Sequence, residues 1–423
     1  MRKVKLAMLM LLLSGLLAGC GEQLAAPTAT PSPAPTHTPL PSPTSTAAVT
    51  ASVPTRHASC VAEPFDFTTV SGIPAVTDAD HISGPADASI TLIEYADFQC
   101  PGCAAMHLLR TYLADTYGDS LRYVYRHFPL SFHPNAIIAA EAAEAASAQG
   151  KFWEMHDLLY ERQQEWGQLT GDAVREKLIE YAGELGLDRD RFVEDLDGHK
   201  YLDRINADGQ TAIQAQLGGT PTYIINGVVY PSQWGLHPVL VTGFINLLQL
   251  KDRMYTSPPE QVIDPSKEYT ATIRTGRGDI VVKLYASLVP VTVNSFVFLA
   301  REGWYDGVTF HRVIPGFVAQ TGDPTGVGIG SPGYRCDDEI VPSLRYDRPG
   351  VVGMASQGPG TSSVGSQFFI TYAALPQLDG NYTIIGQVVQ GMDVLESLSP
   401  RDPAKDPMAP PGDRIETILI EEK

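Results

Sequence analysis

The chain has 423 residues, enough for two or three domains at about 100–200 residues each. Hydrophobic residues make up 43% and charged residues 18%, which supports a packed core and excludes wholesale disorder. With 30 Lys+Arg against 48 Asp+Glu the net charge is −18, a surface that repels phosphate backbones and argues against nucleic-acid binding.

The N-terminus opens with a basic cluster, Arg2, Lys3 and Lys5, followed by an apolar run from Leu6 to Leu17. That run is too short to span about 30 Å of hydrocarbon and ends at small residues, so residues 1–19 read as a signal peptide. Leu17-Ala18-Gly19-Cys20 resembles the bacterial lipobox, which implies lipidation of Cys20 as the first mature residue. The plainer alternative is a secretory signal with an incidental cysteine. Either reading places the mature chain outside the cytoplasm, where disulfides persist. Residues 20–64 form a tether rich in Pro, Thr and Ser, with no charge between Glu22 and Arg56. Such a stretch tends to extended polyproline geometry and reaches on the order of 100 Å.

Residues 65–252 carry the first folded domain. Ile90–Tyr95 reads as a buried strand running into Cys100-Pro101-Gly102-Cys103 and a helix over Ala104–Leu113. Leu121–Phe128 reads as a second strand. Helical stretches follow at Ala136–Ser147, Phe152–Trp166, Ala173–Leu185 and Tyr201–Leu217. Beyond Thr220-Pro221, Asn226-Gly227 marks a hairpin.

Strand, Cys-Pro-Gly-Cys, helix is the arrangement a dithiol oxidoreductase needs. At a helix N-terminus Cys100 becomes an exposed, thiolate-prone nucleophile, and Cys103, one turn inside, resolves the mixed disulfide. A lone C-x-x-C also serves as half a zinc site, with His107 as a further ligand. No second C-x-x-C is present, and the export signal favours redox chemistry, so no metal or cofactor is expected. These residues resemble the DsbA-like branch of the thioredoxin fold, with its helical insertion. The resemblance implies that Glu94 is a buried acid handling protons near the resolving thiol. It also implies that Thr220-Pro221 is a cis-proline loop facing the dithiol and contacting substrate. One departure is the Pro-Gly dipeptide, where strongly oxidising members have Pro-His. That points to a milder potential and leaves the direction of electron flow open.

Residues 253–267 read as a linker and 268–423 as a second domain of short strands. A hairpin is expected around Thr275–Gly278, and helices at Val291–Arg301 and Met392–Leu398, the texture of a closed β-barrel. Two segments stand out: Phe310-His311-Arg312-Val313-Ile314-Pro315-Gly316-Phe317-Val318-Ala319-Gln320, and Gly365-Ser366-Gln367-Phe368-Phe369-Ile370 followed by Leu378-Asp379-Gly380. Together they resemble a cyclophilin, a peptidyl-prolyl cis/trans isomerase. Carried over by position, Arg312 is the catalytic arginine. Phe317, Val318, Phe369 and Leu378 line the proline pocket, Gln320 and Gln367 hold the substrate backbone, and Tyr382 stands at the pocket edge. Ser356 replaces the family's usual pocket asparagine, Gln377 stands where drug-sensitive members carry tryptophan, and the loop Gly358–Ser363 is one residue longer. The bland alternative is a surface arginine beside core aromatics.

The combined reading is an α/β thioredoxin fold with a helical insertion followed by an all-β cyclophilin-like barrel. This describes a lipid-anchored envelope folding factor acting on unfolded extracytoplasmic polypeptides, with an unidentified redox partner. The rivals are a peptide-binding chaperone that has lost one activity and a dedicated electron-relay protein. Cys60 and Cys336 remain. They either pair, clamping the tether's end to the second domain, or stay free.

Overall fold

The computed structural model describes residues 58–65, 67–358, 361 and 363–423. The signal peptide, Cys20 and most of the tether lie outside the described residues. The short strands β1 (Cys60–Ala62) and β2 (His81–Ser83) precede β3 (Ile90–Ala96), which is buried on both faces and is for that reason mostly apolar, with Glu94 the one buried charge-bearing residue in it. β4 (Leu121–His127) lies parallel to β3, and β5 (Thr222–Ile225) with β6 (Val228–Val229) adds an antiparallel hairpin. The sheet order is β2-β4-β3-β5-β6. The hairpin turns at Asn226-Gly227, both with positive φ.

Helices cover this sheet and form the insertion between β4 and β5. The expected helix over Ala104–Leu113 is instead two, α1 (Pro101–Ala105) and α2 (Leu109–Tyr117). The break at 106–108 lets buried Met106 and Leu109 pack into one cluster with Leu113 while Leu108 faces solvent. The insertion comprises α3 (Ala136–Ser147), α4 (Phe152–Glu161), α5 (Gln163–Trp166), α6 (Asp172–Glu184), α7 (Arg189–Asp197) and α8 (Leu202–Gln214). The Phe152–Trp166 stretch thus breaks at Arg162. Alanine lets α3 run buried along most of its length, and α4 and α6 close over it. After β6, α9 (Pro238–Gln249) packs on α2. Neither α7 nor α9 is expected from the sequence pattern.

The second sheet has eight strands in the order β15-β7-β8-β14-β12-β13-β10-β9. They are β7 (Tyr269–Thr275), β8 (Gly278–Leu284), β9 (Arg312–Ile314), β10 (Val318–Thr321), β12 (Val351–Met354), β13 (Phe368–Thr371), β14 (Ile384–Gln390) and β15 (Ile415–Glu422), with β11 (Tyr334–Cys336) outside it. Helix α10 (Pro290–Arg301) plugs the core through Phe296, Val297 and Leu299, and α11 (Met392–Glu396) lies near β8. This is not the closed barrel that the sequence predicts. The sheet curls into a half-barrel whose edge strands, β9 and β15, share no ladder. The segment before β15 fills that gap: Val313 and Arg401 exchange backbone hydrogen bonds of 2.7 and 2.8 Å, and Phe310 N donates to Asp413 O.

The two folds are joined. Cys60 and Cys336 form a disulfide, and β1 pairs antiparallel with β11, so the end of the expected tether is a strand on the second domain. Tyr255 N donates to Pro332 O at 2.8 Å, and Asn246 on α9 donates to Thr325 O at 3.0 Å. A Cβ on Gly243 would fall 2.2 Å from Val327, so the close approach of α9 to that loop requires glycine.

Candidate active sites

The dithiol lies where β3 gives way to α1, with Cys100 as the N-cap residue and Pro101 starting the helix. Cys103 is 1% exposed. Cys100 is only 7% exposed, more enclosed than an exposed nucleophile. The enclosure comes from the facing loop. The Thr220-Pro221 peptide is cis, and Cys100 Sγ lies 3.3 Å from Thr220 O. Leu236 and Pro221 both lie against Gly102. His107 does not join the cysteines; its Nδ1 is 2.7 Å from Ala104 O.

The two thiols are electrostatically unequal. A hydrogen bond with Cys103, reinforced by the N–H groups of Gly102 and Cys103, outweighs burial and pulls the Cys100 thiol down to about 5. Burial, the same bond and the nearby Glu94 push Cys103 well above the usual thiol range. Glu94 is buried beneath them, and burial raises its carboxyl to about 7 although Tyr123 donates to it at 2.6 Å. One thiol is therefore ready to attack and the other ready to keep its proton. An acid that titrates near neutrality lies behind both.

The second site forms across three adjacent strands. In register, Arg312 on β9 faces Gln320 on β10, and Gln320 faces Phe369 on β13. The Arg312 guanidinium lies 5.4 Å from the Phe317 ring centre. Among the described residues no carboxylate pairs with it. Val318 and Phe369 are buried in one apolar cluster, with Phe317, Leu378 and Tyr382 half-buried against it. Tyr382 meets Phe369 edge-on at 5.8 Å. A Cβ on Gly353 would fall 2.1 Å from the Tyr346 hydroxyl and 2.8 Å from Phe369, so this glycine lets the floor of the cup close. Gln320 donates to Gln367 at 3.2 Å. Ser356 Oγ donates to its own loop at Gly358 O, 2.9 Å away. The loop Gly358–Ser363 lies partly outside the described residues.

Asp323 shapes the site from behind and does not stand out in the sequence. Its carboxylate, fully buried, accepts from the N–H groups of Thr325, Val327, Gly328, Ile329 and Gly330 and from the Thr325 hydroxyl. The loop it gathers presents the Gly328 and Gly330 carbonyls, which accept from Gln367 Nε2 at 3.0 and 3.3 Å. Asp323 thus positions Gln367, and through it Gln320. The signal in the sequence is Asp323-Pro324 ahead of Thr-Gly-Val-Gly-Ile-Gly, a run whose backbone donors need an acceptor.

A third cluster was also unforeseen. His81 on β2 and His127 on β4 meet Glu144 Oε1 on α3 at 2.6 and 2.8 Å, and Arg204 on α8 meets the same oxygen at 2.7 Å. Burial alone would raise the Glu144 carboxyl, but the two histidines hold it well below the usual range. The three buried donor atoms are close enough for a metal, yet Arg204 already supplies the cation.

Residues 270–418 match the family model of cyclophilin-type peptidyl-prolyl cis-trans isomerases, and residues 76–236 match a thioredoxin model. The isomerase ppi1 of Schizosaccharomyces pombe is 49% identical over 129 residues, 30% of this chain and 82% of that protein. The chain belongs to the cyclophilin-type peptidyl-prolyl cis-trans isomerase family. Peptidyl-prolyl cis-trans isomerase A of Mycobacterium tuberculosis is 43% identical over 152 residues, 32% of this chain and 82% of its own length. A Salinispora tropica protein named Na(+)/H(+) antiporter NhaA 3 is 46% identical over 157 residues, 37% of this chain. The chain spans only 23% of that antiporter's length, so most of the antiporter has no counterpart here. Beside the cyclophilin domain lies a thioredoxin-like domain, matched over separate residues.

Proposed function

We propose that this chain is an extracytoplasmic folding factor that isomerises prolyl peptide bonds at the Arg312 cup and exchanges disulfides at Cys100/Cys103. The observation that carries the first activity is an unpaired guanidinium beside an apolar cup, with two glutamines alongside. Rotation about a prolyl bond must break amide resonance, against a barrier of about 18–20 kcal/mol. The cup formed by Phe317, Val318, Phe369, Leu378 and Tyr382 grips the ring. Gln320 and Gln367 hold the backbone on either side, with Ser356 at the rim. As the amide twists, the prolyl nitrogen becomes pyramidal and gains a lone pair. Arg312 donates to that lone pair, which neither planar state offers, so it stabilises the twisted state selectively. No nucleophile, metal or cofactor is required.

The second activity is supported by the unequal thiols. The Cys100 thiolate attacks one sulfur of a client disulfide, forming a mixed disulfide and expelling the client's other sulfur as a thiolate. Cys103 gives its proton to Glu94 and attacks Cys100 Sγ, expelling the second client thiolate. Two electrons pass to the client and the Cys100–Cys103 bond forms; the reverse sequence oxidises a dithiol client. Thr220 and Pro221 face the client at this step. The anchor is a lipid on Cys20, so the chain works at the cell envelope on unfolded or folding polypeptides, with its redox partner still to be identified. The basic, apolar and small-residue segments around that cysteine support this placement.

The test is a pair of assays on the mature chain: cis/trans exchange of a proline peptide followed by NMR, and reduction of a disulfide-linked peptide. Acceleration of both is expected. A chain that binds the proline peptide without accelerating exchange is a peptide-holding module, and the proposal fails.

A further inference from the structure

The junction between the two folds forms an open cleft of about 580 Å³, within the range of about 300–1,000 Å³ common for ligand clefts. Its cyclophilin wall includes Gln320, Gln367 and Ser356, residues of the isomerase site itself. The rest of that wall mixes glycines, Gly328, Gly330 and Gly365, with side chains that include Ile329, Arg335 and Gln357. The opposite wall is not cyclophilin at all. It consists of Glu63, Pro64 and Phe65, which follow the disulfide-pinned strand β1, and Trp234 from the loop after β6.

Both aromatic residues are held from behind. Trp234 meets Tyr230 and Phe244 edge-on at 6.3 and 5.5 Å, and Tyr230 OH donates to Gly235 O at 2.8 Å. Phe65 stacks on Phe67 with ring centres 6.1 Å apart, and Glu63 pairs with Arg335 at 3.2 Å. Rigid aromatic faces opposite the isomerase glutamines suit an extended polypeptide carrying a large apolar side chain. The aromatic faces receive the side chain, while Gln320 and Gln367 hold the backbone beside it. Because Gln320 and Gln367 line both this cavity and the proline cup, a chain held in the cup continues directly into it.

We propose that the thioredoxin-like domain and the strand clamped by Cys60–Cys336 supply a specificity wall for the isomerase, with Trp234 and Phe65 selecting substrates that carry an aromatic or large aliphatic residue upstream of the isomerising proline. This rests on the isomerase reading above and adds a determinant that lies outside the isomerase fold. The same loop carries Leu236, which lies against Gly102 beside the dithiol.

The experiment uses the mature chain and matched proline peptides that differ only at the second or third residue before proline, phenylalanine in one and glycine in the other. Wild type is expected to favour the phenylalanine peptide in kcat/KM by about tenfold, a difference of ~1.4 kcal/mol. In Trp234→Ala and in Phe65→Ala that ratio should collapse towards one, and Trp234→Phe should restore most of it. Since Trp234 also packs on Tyr230 and Phe244, Phe65→Ala carries the test if Trp234→Ala fails to fold. A ratio unchanged in Phe65→Ala and in any folded Trp234 variant overturns the proposal, as does a wild type that treats the two peptides alike. If wild type isomerises neither peptide, the isomerase reading itself has failed, which is a different result.

Discussion

The two candidate sites work by opposite means. At the dithiol, buried groups are pushed off their ordinary titration: Cys100 down to about 5, Cys103 upward, Glu94 up to about 7. The site stores its reactivity in protonation states. At the proline cup nothing needs to titrate. The working parts are a guanidinium, an apolar socket and two amides held in register by β9, β10 and β13. Covalent exchange needs a nucleophile tuned by burial, whereas a twist about a single bond needs only a surface complementary to the twisted form.

That contrast sets the order of the expected effects. Cys100→Ser should abolish disulfide exchange while leaving prolyl isomerisation at the wild-type rate, and Cys103→Ser should trap mixed disulfides, seen by mass spectrometry. Loss of isomerase activity in Cys100→Ser would mean that the sites are not separate. Next comes Asp323→Ala, which leaves several loop N–H groups without their acceptor. It should lower isomerase kcat/KM by about ten- to a hundredfold, mostly through KM, because Gln367 loses its carbonyl partners. Disulfide exchange should not change.

Glu94→Gln should act only at the dithiol, and its sign follows from the raised carboxyl. Folding favours the protonated acid, so this stabilisation is complete below the ordinary 4.5 and is lost as pH rises through about 7. The neutral glutamine escapes that loss. The variant should therefore be more stable than wild type by about 2–3 kcal/mol at about pH 8, measured by denaturant unfolding of the reduced protein, and no more stable at about pH 4. Resolution of the mixed disulfide should slow. The smallest effect is a midpoint: alkylation of Cys100 should rise with pH through about 5 and then level off, where an ordinary thiol would still be climbing.

How much could be read beforehand differs between the sites for the same reason. Arg312, Phe317 and Gln320 lie within one short segment, and Cys100 and Cys103 within another, so local order displays them. Asp323 acts through backbone donors rather than through a recognisable side-chain pattern. The His81–Glu144–His127 cluster draws on β2, β4 and α3, which no local pattern links. Helix α9 was missed because Pro238–Gln249 is apolar with little polar periodicity, being covered by α2 on one side and the cyclophilin loop on another. Helix α7 was missed for the opposite reason: it is mostly charged, and only Phe192, Asp195 and Leu196 are buried. The pairing of Cys60 with Cys336 was suggested by leftover cysteines, but the β1–β11 ladder that brings them together was not visible in the sequence. The barrel was expected closed because its strands are short and numerous. Arg401 and its neighbours occupy the gap instead, leaving β9 at an edge.

The central claim is that the cup stabilises the twisted amide rather than the peptide as a whole. The direct measurement is kcat/KM for prolyl exchange in Arg312→Ala, set beside the dissociation constant of the same peptide. The account predicts a fall of about 10²–10³ in kcat/KM with affinity nearly intact, and little recovery in Arg312→Lys, whose ammonium lacks the planar fork. If affinity falls as far as the rate does, Arg312 is a uniform binding contact, and the mechanism given for this site is wrong.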